Sequence, residues 1–107
     1  MGFKRKHSRI EVGRKGRILR GSLSAACTVL DVSESGVRIE SRLFVKTGET
    51  LRLVIDLDLG QTLSCTIQPV YVRAPRFGAR ITSITEADQE RLSHMFDDRI
   101  QRMYSGQ

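Results

Sequence analysis

The fold class of this chain is decided by residues 51–59, which read LRLVIDLDL. The odd-numbered positions are all leucine or isoleucine, and three of the four positions between them are charged. This alternation has a period of two, which is typical of a β-strand with one face in a hydrophobic core. Because the next segment is also strand-like, the two predict a β-hairpin with a tight turn at Gly60-Gln61.

Further strand-like segments lie on both sides of this hairpin, separated by residues that favour turns. In the fifth segment the apolar positions change parity after Ile67, so Val70 and Val72 are expected in the core. Pro69 lies at this change, which predicts a β-bulge or an edge position there. The six predicted strands are Arg17–Leu23, Ala25–Val32, Val37–Arg42, Thr50–Leu59, Thr62–Arg73 and Phe77–Ile84.

The period changes after the last strand, where Thr85 and Asp88 have the spacing of a helix N-cap and its partner. Six strands followed by one amphipathic helix predict a mainly β fold, a six-stranded antiparallel β-barrel with a C-terminal α-helix. The helix stripe either packs against the open end of the barrel or binds a partner, and both interpretations stay open. Its apolar residues are Leu92, Met95, Phe96, Ile100, Met103 and Tyr104.

The length of 107 residues fits one domain, with residues 1–14 as a flexible basic arm, 15–84 as the barrel and 85–107 as the helix. No apolar run approaches the roughly 20 residues that span a bilayer, and no apolar segment follows the charged N-terminus. We therefore expect a cytoplasmic protein without membrane insertion. Cys27 and Cys65 lack metal-site spacing and are expected to be reduced, buried thiols.

Positive charge is concentrated near the N-terminus. Residues 1–20 hold eight of the 18 Lys and Arg residues and one of the 12 acidic residues. The rest of the chain is therefore close to neutral, although the net charge is +6. A protein that coats a long nucleic acid usually spreads its positive charge along a face. The observed distribution instead favours a compact polyanion held at one place.

Two short motifs stand out against this background. Residues 4–9 read KRKHSR and contain an RxxxR pattern at Arg5 and Arg9. After 21 intervening residues, a DxSxxG pattern places Asp31, Ser33 and Gly36 at the end of a predicted strand. RxxxR alone is uninformative in this arginine-rich chain, so the information lies in the pairing of the two motifs.

This pairing resembles the PilZ domain, a small β-barrel family whose members bind the bacterial second messenger cyclic di-GMP. The likeness covers nearly the whole chain, and residues 77–81 are similar to the family's late glycine-containing strand. It implies a non-enzymatic receptor and adaptor, with cyclic di-GMP as ligand and no further cofactor or metal. It also implies an unidentified protein partner and no long nucleic acid.

The resemblance carries the ligand-binding roles to the motif residues. Arginine presents a planar fork that can bind guanine O6 and N7 or a phosphate, a role that falls to Arg5 and Arg9. Asp31 is expected to accept hydrogen bonds from the Watson–Crick edge of guanine. Ser33 adds a small hydroxyl, and Gly36 permits a positive φ and lets backbone amides approach the ligand.

Two further residues are secondary candidates for the ligand site. Lys4 precedes the RxxxR pattern and would attract phosphate, and Arg73 ends the fifth predicted strand. In the expected mechanism the flexible arm folds over ligand bound on the barrel and creates a new surface for the partner.

Other functions fit the sequence less well. A nucleotide-independent adaptor of the same fold is the main alternative, since the motifs could also be a solvated tail and a β-turn. A small RNA- or DNA-binding barrel would need aromatic stacking platforms on its strands, and the predicted strands lack an aromatic cluster. For an enzyme, His7 and His94 are isolated in the sequence and Ser33 has no identifiable base, so we expect no catalytic residues.

Overall fold

The computed structural model describes residues 9–33 and 35–105, with side chains up to residue 95. This part of the chain forms a closed barrel of six antiparallel strands in the order β1-β2-β3-β6-β5-β4, with β4 paired to β1. The predicted mainly β fold with a C-terminal helix is confirmed. The elements are β1 (Ile10–Arg20), β2 (Leu23–Val32), β3 (Gly36–Ser41), β4 (Leu51–Asp56), β5 (Thr62–Arg73), β6 (Arg76–Ser83) and α1 (Glu86–Ser105).

The core fills the barrel, because each strand turns alternate side chains inward. Leu92 of α1 is buried against this core and Met95 packs beside it, so the start of the helix stripe packs on the barrel. The described residues contain no helix long and apolar enough to cross a membrane. The fully buried side chains include Ile18, Val29, Ile39, Leu53 and Ile67.

The start of α1 is fixed by Thr85 as predicted. The backbone N–H of Asp88 donates to Thr85 Oγ1 at 3.1 Å, which satisfies one of the free donors of the first helical turn. The Asp88 carboxylate accepts from the backbone N–H of Ser64 at 3.4 Å and from Arg91 at 3.0 Å. The cap therefore also attaches the helix to β5.

Strand β1 begins at Ile10, seven residues before the predicted Arg17, so residues 10–14 are strand and not part of a flexible arm. The prediction was wrong because the pairing of β1 with β2 shifts register between Glu11 and Arg14. Gly13 lies in this shift with a φ of +54°, a backbone conformation that favours glycine. Such a bulge breaks the alternation by which a strand is recognised in sequence.

Strand β4 ends earlier than its alternation predicts. Leu57 is partly buried against the core, but Leu59 is 97% exposed. The chain turns through Asp58–Gly60, and Leu59 there has a φ of +61°. The β4–β5 connection is therefore longer than the predicted two-residue turn, because Leu57 N–H donates to Gln61 O at 2.8 Å and closes a five-residue loop.

The predicted bulge in β5 is confirmed, but its effect on the core was predicted wrongly. The pairing with β6 shifts register between Pro69 and Tyr71. Pro69 is itself fully buried and ends the inward-facing series, so the inward face does not continue after the bulge. Val70 and Val72 are 49% and 42% exposed, and Tyr71 between them is 47% exposed.

The positive φ of Leu59 leads to a paired stability prediction. Asparagine tolerates the left-handed conformation better than leucine, so Leu59→Asn should raise the free energy of unfolding by about 0.5–1 kcal/mol. Leu57→Asn should lower it by more than about 1 kcal/mol, because an amide replaces a half-buried apolar side chain. Urea unfolding followed by circular dichroism measures both. Equal destabilisation by the two substitutions would contradict the assigned turn.

The buried thiols lead to a pH prediction. Burial raises the pKa of both Cys27 and Cys65 from 9.0 to about 11, with a smaller contribution from Asp56 at Cys27. The thiols ionise more easily in the unfolded chain than in the folded protein. Their contribution to the free energy of unfolding is therefore complete below pH 9 and is lost as pH rises towards 11. The loss should reach about 1.4 kcal/mol per pH unit for each thiol.

Denaturant titrations at several alkaline pH values would test this, with the Cys27→Ala/Cys65→Ala double variant as the control. The double variant should show a weaker fall in stability over that range. An identical fall in both proteins would show that other groups cause it.

Candidate functional site

The candidate site is built around Asp31, near the end of β2. Val32 and Val37 pair with each other and both point into the core, so the neighbouring pair Asp31 and Arg38 lies on the outer face of the barrel. A register shift between Val29 and Asp31 produces this change of face. The aspartate is nevertheless only 2% exposed, because arginine side chains cover it.

Both oxygens of the Asp31 carboxylate bind arginine. Arg9 Nη1 donates to Oδ1 at 2.9 Å, and Arg38 contacts Oδ2 through Nε at 2.9 Å and Nη2 at 2.8 Å. The Arg9 and Arg38 side chains are 48% and 41% exposed, whereas that of Asp31 is 4% exposed. The hydrogen bond and the attraction from Asp31 raise the pKa of the Arg38 guanidinium. One buried carboxylate therefore holds two arginines whose outer sides face solvent.

The turn after Asp31 is held by backbone contacts. Ser33 N–H donates to Gly36 O at 2.8 Å, and Ser33 Oγ lies 3.4 Å from the same oxygen. Ile81 N–H donates to Ser35 O at 3.0 Å, which attaches the turn to β6. These contacts fix the turn relative to two strands.

Gly36 lies where β3 pairs with β6. Its φ is not in the left-handed region, so the positive φ that glycine permits is not adopted here. A Cβ at Gly36 would lie 2.7 Å from the backbone oxygen of Ala79, which is closer than real Cβ atoms approach. Glycine is therefore required because β3 and β6 come together here.

The structure brings four of the predicted site residues together at one end of β2 and β3. Asp31 binds Arg9 directly and is followed by the Ser33–Gly36 turn. Arg73 is not one of these four and is the last residue of β5. The predicted residues Lys4 and Arg5 lie outside the described residues.

Sequence reasoning missed Arg38. A hairpin closed by residues 33–36 places Arg38 opposite Asp31 and on the same face, so the register of β2 and β3 was the signal that could have identified it. Arg76 was also missed, because the pairing of β6 with β3 cannot be read from one strand alone.

Two open pockets flank Arg38 on the outer face. The first has a volume of about 420 Å³ and reaches from Asp31 to the bulge around Gly13. The second has a volume of about 540 Å³ and contains Arg73. Arg38 and Arg76 line both pockets, so the surface offers several guanidinium groups to a planar, negatively charged ligand.

Comparisons with solved structures agree with this architecture. The structure of the Bacillus subtilis inhibitor of motility MotI/DgrA has a TM-score of 0.75 and 16% identity over 97% of this chain, which spans 53% of that protein. The PilZ domain of CeSA from a cellulose-synthesizing bacterium has a TM-score of 0.68 and 16% identity, covering 84% of this chain and 98% of that one. At this identity the likeness shows the fold alone.

The family assignment comes from the sequence match. Comparison with curated proteins gives no match. The family model for the PilZ domain matches residues 3–98. Domains of this family are generally receptors or adaptors for cyclic di-GMP and not enzymes. Because the match covers most of the chain, including every strand of the barrel, this protein belongs to the PilZ domain family.

Proposed function

We propose that this protein is a receptor for cyclic di-GMP that acts as a non-enzymatic adaptor. Arg5 and Arg9 of the N-terminal segment bind the ligand together with the turn that contains Asp31, Ser33 and Gly36. The signal then passes by contact to an unidentified protein. The observation that supports this most strongly is the buried Asp31 carboxylate, which binds Arg9 and Arg38 and lines an open pocket together with Arg38.

The chemistry of the ligand fits this arrangement. Cyclic di-GMP carries two phosphates and two guanines, and guanidinium groups bind phosphates and the O6/N7 edge of guanine in the same planar geometry. An arginine guanidinium has five N–H donors. Arg9 donates to Asp31 through Nη1. Its half-exposed side chain therefore keeps donors for a ligand.

Asp31 takes part in two ways in this proposal. In the free protein both of its oxygens accept from arginine, so it positions the two guanidinium groups. For its carboxylate to accept from the Watson–Crick edge of guanine, one arginine must move. Arg9 is the one that moves, because it is held through a single nitrogen and is the more exposed of the two.

The proposed conformational change is smaller than closure of the whole predicted arm. Residues 10–14 belong to β1 and Arg9 already contacts the barrel, so these residues form the fixed end. In the proposed mechanism residues 1–8 close over the bound ligand, because their positive charge is attracted to its phosphates.

The first prediction from this proposal concerns the ligand. Isothermal titration should detect cyclic di-GMP binding at micromolar concentration or better, with GTP, cyclic di-AMP and a short RNA binding much more weakly. Adenine presents an acceptor at N1 where guanine presents a donor, so its N1 would face the Asp31 carboxylate with a lone pair and could not donate to it. Absence of heat at high micromolar protein would refute the receptor proposal and favour a nucleotide-independent adaptor.

A second prediction separates the site arginines from general charge. Arg9→Ala and Arg5→Ala should each weaken binding by at least about tenfold, in line with the 1.5–3 kcal/mol of a charge-assisted hydrogen bond. Arg52→Ala is the matched control, because it removes the same charge from an exposed position on β4, which pairs with neither β2 nor β3. Its affinity should stay within about twofold of the original.

Asp31→Ala completes this set of variants. It should weaken binding and also lower the melting temperature, since Arg9 and Arg38 both lose their partner. Equal losses of affinity in the three arginine variants would indicate non-specific attraction of an anion. Unchanged affinity in both Arg5→Ala and Arg9→Ala would mean that the ligand binds elsewhere.

A further inference from the structure

The loop between β3 and β4 exposes an aromatic side chain. Phe44 is 84% exposed, although the residue before it, Leu43, packs against the core. Single exposed apolar residues are common on protein surfaces, but aromatic residues are enriched where proteins contact each other. Two further features distinguish Phe44 from a scattered surface residue, namely a loop that holds it in place and a cavity beside it.

Ion pairs and hydrogen bonds fix this loop. Arg20, the last residue of β1, donates through Nη2 to Phe44 O at 2.7 Å. It also binds the Glu49 carboxylate through Nε at 3.1 Å and Nη2 at 3.0 Å. The same carboxylate accepts from the backbone N–H of Lys46 at 2.7 Å. Because these contacts already hold the loop, docking of the phenyl ring would cost little conformational entropy.

An open groove on β1, β2 and β3 begins next to Phe44, because Leu43 is one of its lining residues. The groove has a volume of about 840 Å³, whereas the pocket beside Asp31 has about 420 Å³. Small uncharged residues of β1 and β2 leave room in it for a large apolar side chain. These residues are Gly16, Ala25, Ala26, Cys27 and Thr28.

The charged residues that line the groove cancel each other. Lys15 and Arg42 are positive, and Glu40 and Asp56 are negative. Glu40 also contacts Arg76 at 3.2 Å, in an ion pair that is largely exposed and therefore weak. The whole chain has a net charge of +6, so two copies repel each other unless a locally neutral surface makes the contact. A two-fold interface brings one patch against its own copy, which favours a patch that carries both signs.

We propose that two copies of this chain associate across this face, with Phe44 of each copy inserted into the groove of the other. The side chain and the cavity lie next to each other on one molecule, so a two-fold axis between the copies forms both contacts at once. A strongly acidic partner or a nucleic acid would instead need a surface of net positive charge. The lining residues of the groove are all different from those of the two pockets that flank Arg38, so association does not require the ligand.

Sedimentation equilibrium over a wide range of protein concentration tests the proposal. The unsubstituted protein should pass from monomer to dimer as the concentration rises. Phe44→Ser should raise the dimer dissociation constant at least about 30-fold, as truncation of an interface hot spot does. Leu59→Ser is the matched control, because it also removes an exposed apolar side chain from a loop, at the other end of β4. Its dissociation constant should stay within about twofold of the original.

A groove variant tests the other side of the contact. Ala26→Gln fills the groove from an exposed position without a change of charge, and it should weaken association as Phe44→Ser does. An equimolar mixture of the two variants should associate more strongly than either variant alone. The reason is that Phe44 of the Ala26→Gln chain can still enter the intact groove of the Phe44→Ser chain. Circular dichroism checks that each variant is folded.

Three results would overturn the inference. A monomer at every concentration would show that this face does not bind a second copy, and Phe44 would then be left to a partner of another kind. A dimer that Phe44→Ser does not weaken would have its interface elsewhere. A mixture that associates no more strongly than its components would exclude insertion of Phe44 into the groove. None of these results bears on cyclic di-GMP binding, so the proposed function is tested separately.

Discussion

The ion pairs of Asp31 are the interaction on which the arrangement of this site depends. A carboxylate that is 2% exposed is stable only when its charge is paired and its oxygens accept hydrogen bonds. Arg9, just before β1, and Arg38, on β3, meet this requirement from two sides. The same contacts attach the end of the N-terminal segment to the barrel and hold Arg38 where it lines two open pockets. One buried charge therefore determines where two exposed charges lie.

Irregularities in the strand pairing place the other parts of the site. The bulge around Gly13 forms one wall of the first pocket, and the shift after Val29 turns Asp31 to the outer face. The shift after Pro69 exposes Tyr71 beside the second pocket. Bulges commonly re-aim side chains next to functional sites, because an added residue changes the face on which the following residues lie. A perfectly regular barrel of the same sequence would turn Asp31 towards the core.

The same irregularities explain how much could be predicted from sequence. Periodicity within single segments predicted the six strands and the helix, because burial of one face imposes a period of two on a strand and of about 3.6 on a helix. It failed at Ile10, Leu59 and Val70, where a bulge or a turn breaks the period. The motif residues Arg9 and Asp31 were predicted and do meet. Arg38 was missed because its role depends on the pairing between strands.

In the proposed mechanism a ligand competes with Asp31 for a guanidinium group, and this competition affects which ligands bind. A phosphate that takes one guanidinium group from Asp31 replaces one anionic partner by another, so the arginine does not have to lose its hydration shell again. The Asp31 oxygen that has lost its arginine then needs another donor, and the N1–H and N2–H₂ groups of guanine supply one. A ligand with a phosphate but without such donors would leave a buried carboxylate oxygen unpaired, which is costly. In the proposed receptor this exchange would favour ligands that carry both groups, and the buried position of Asp31 would then be a source of selectivity for a guanine nucleotide over a simple phosphate.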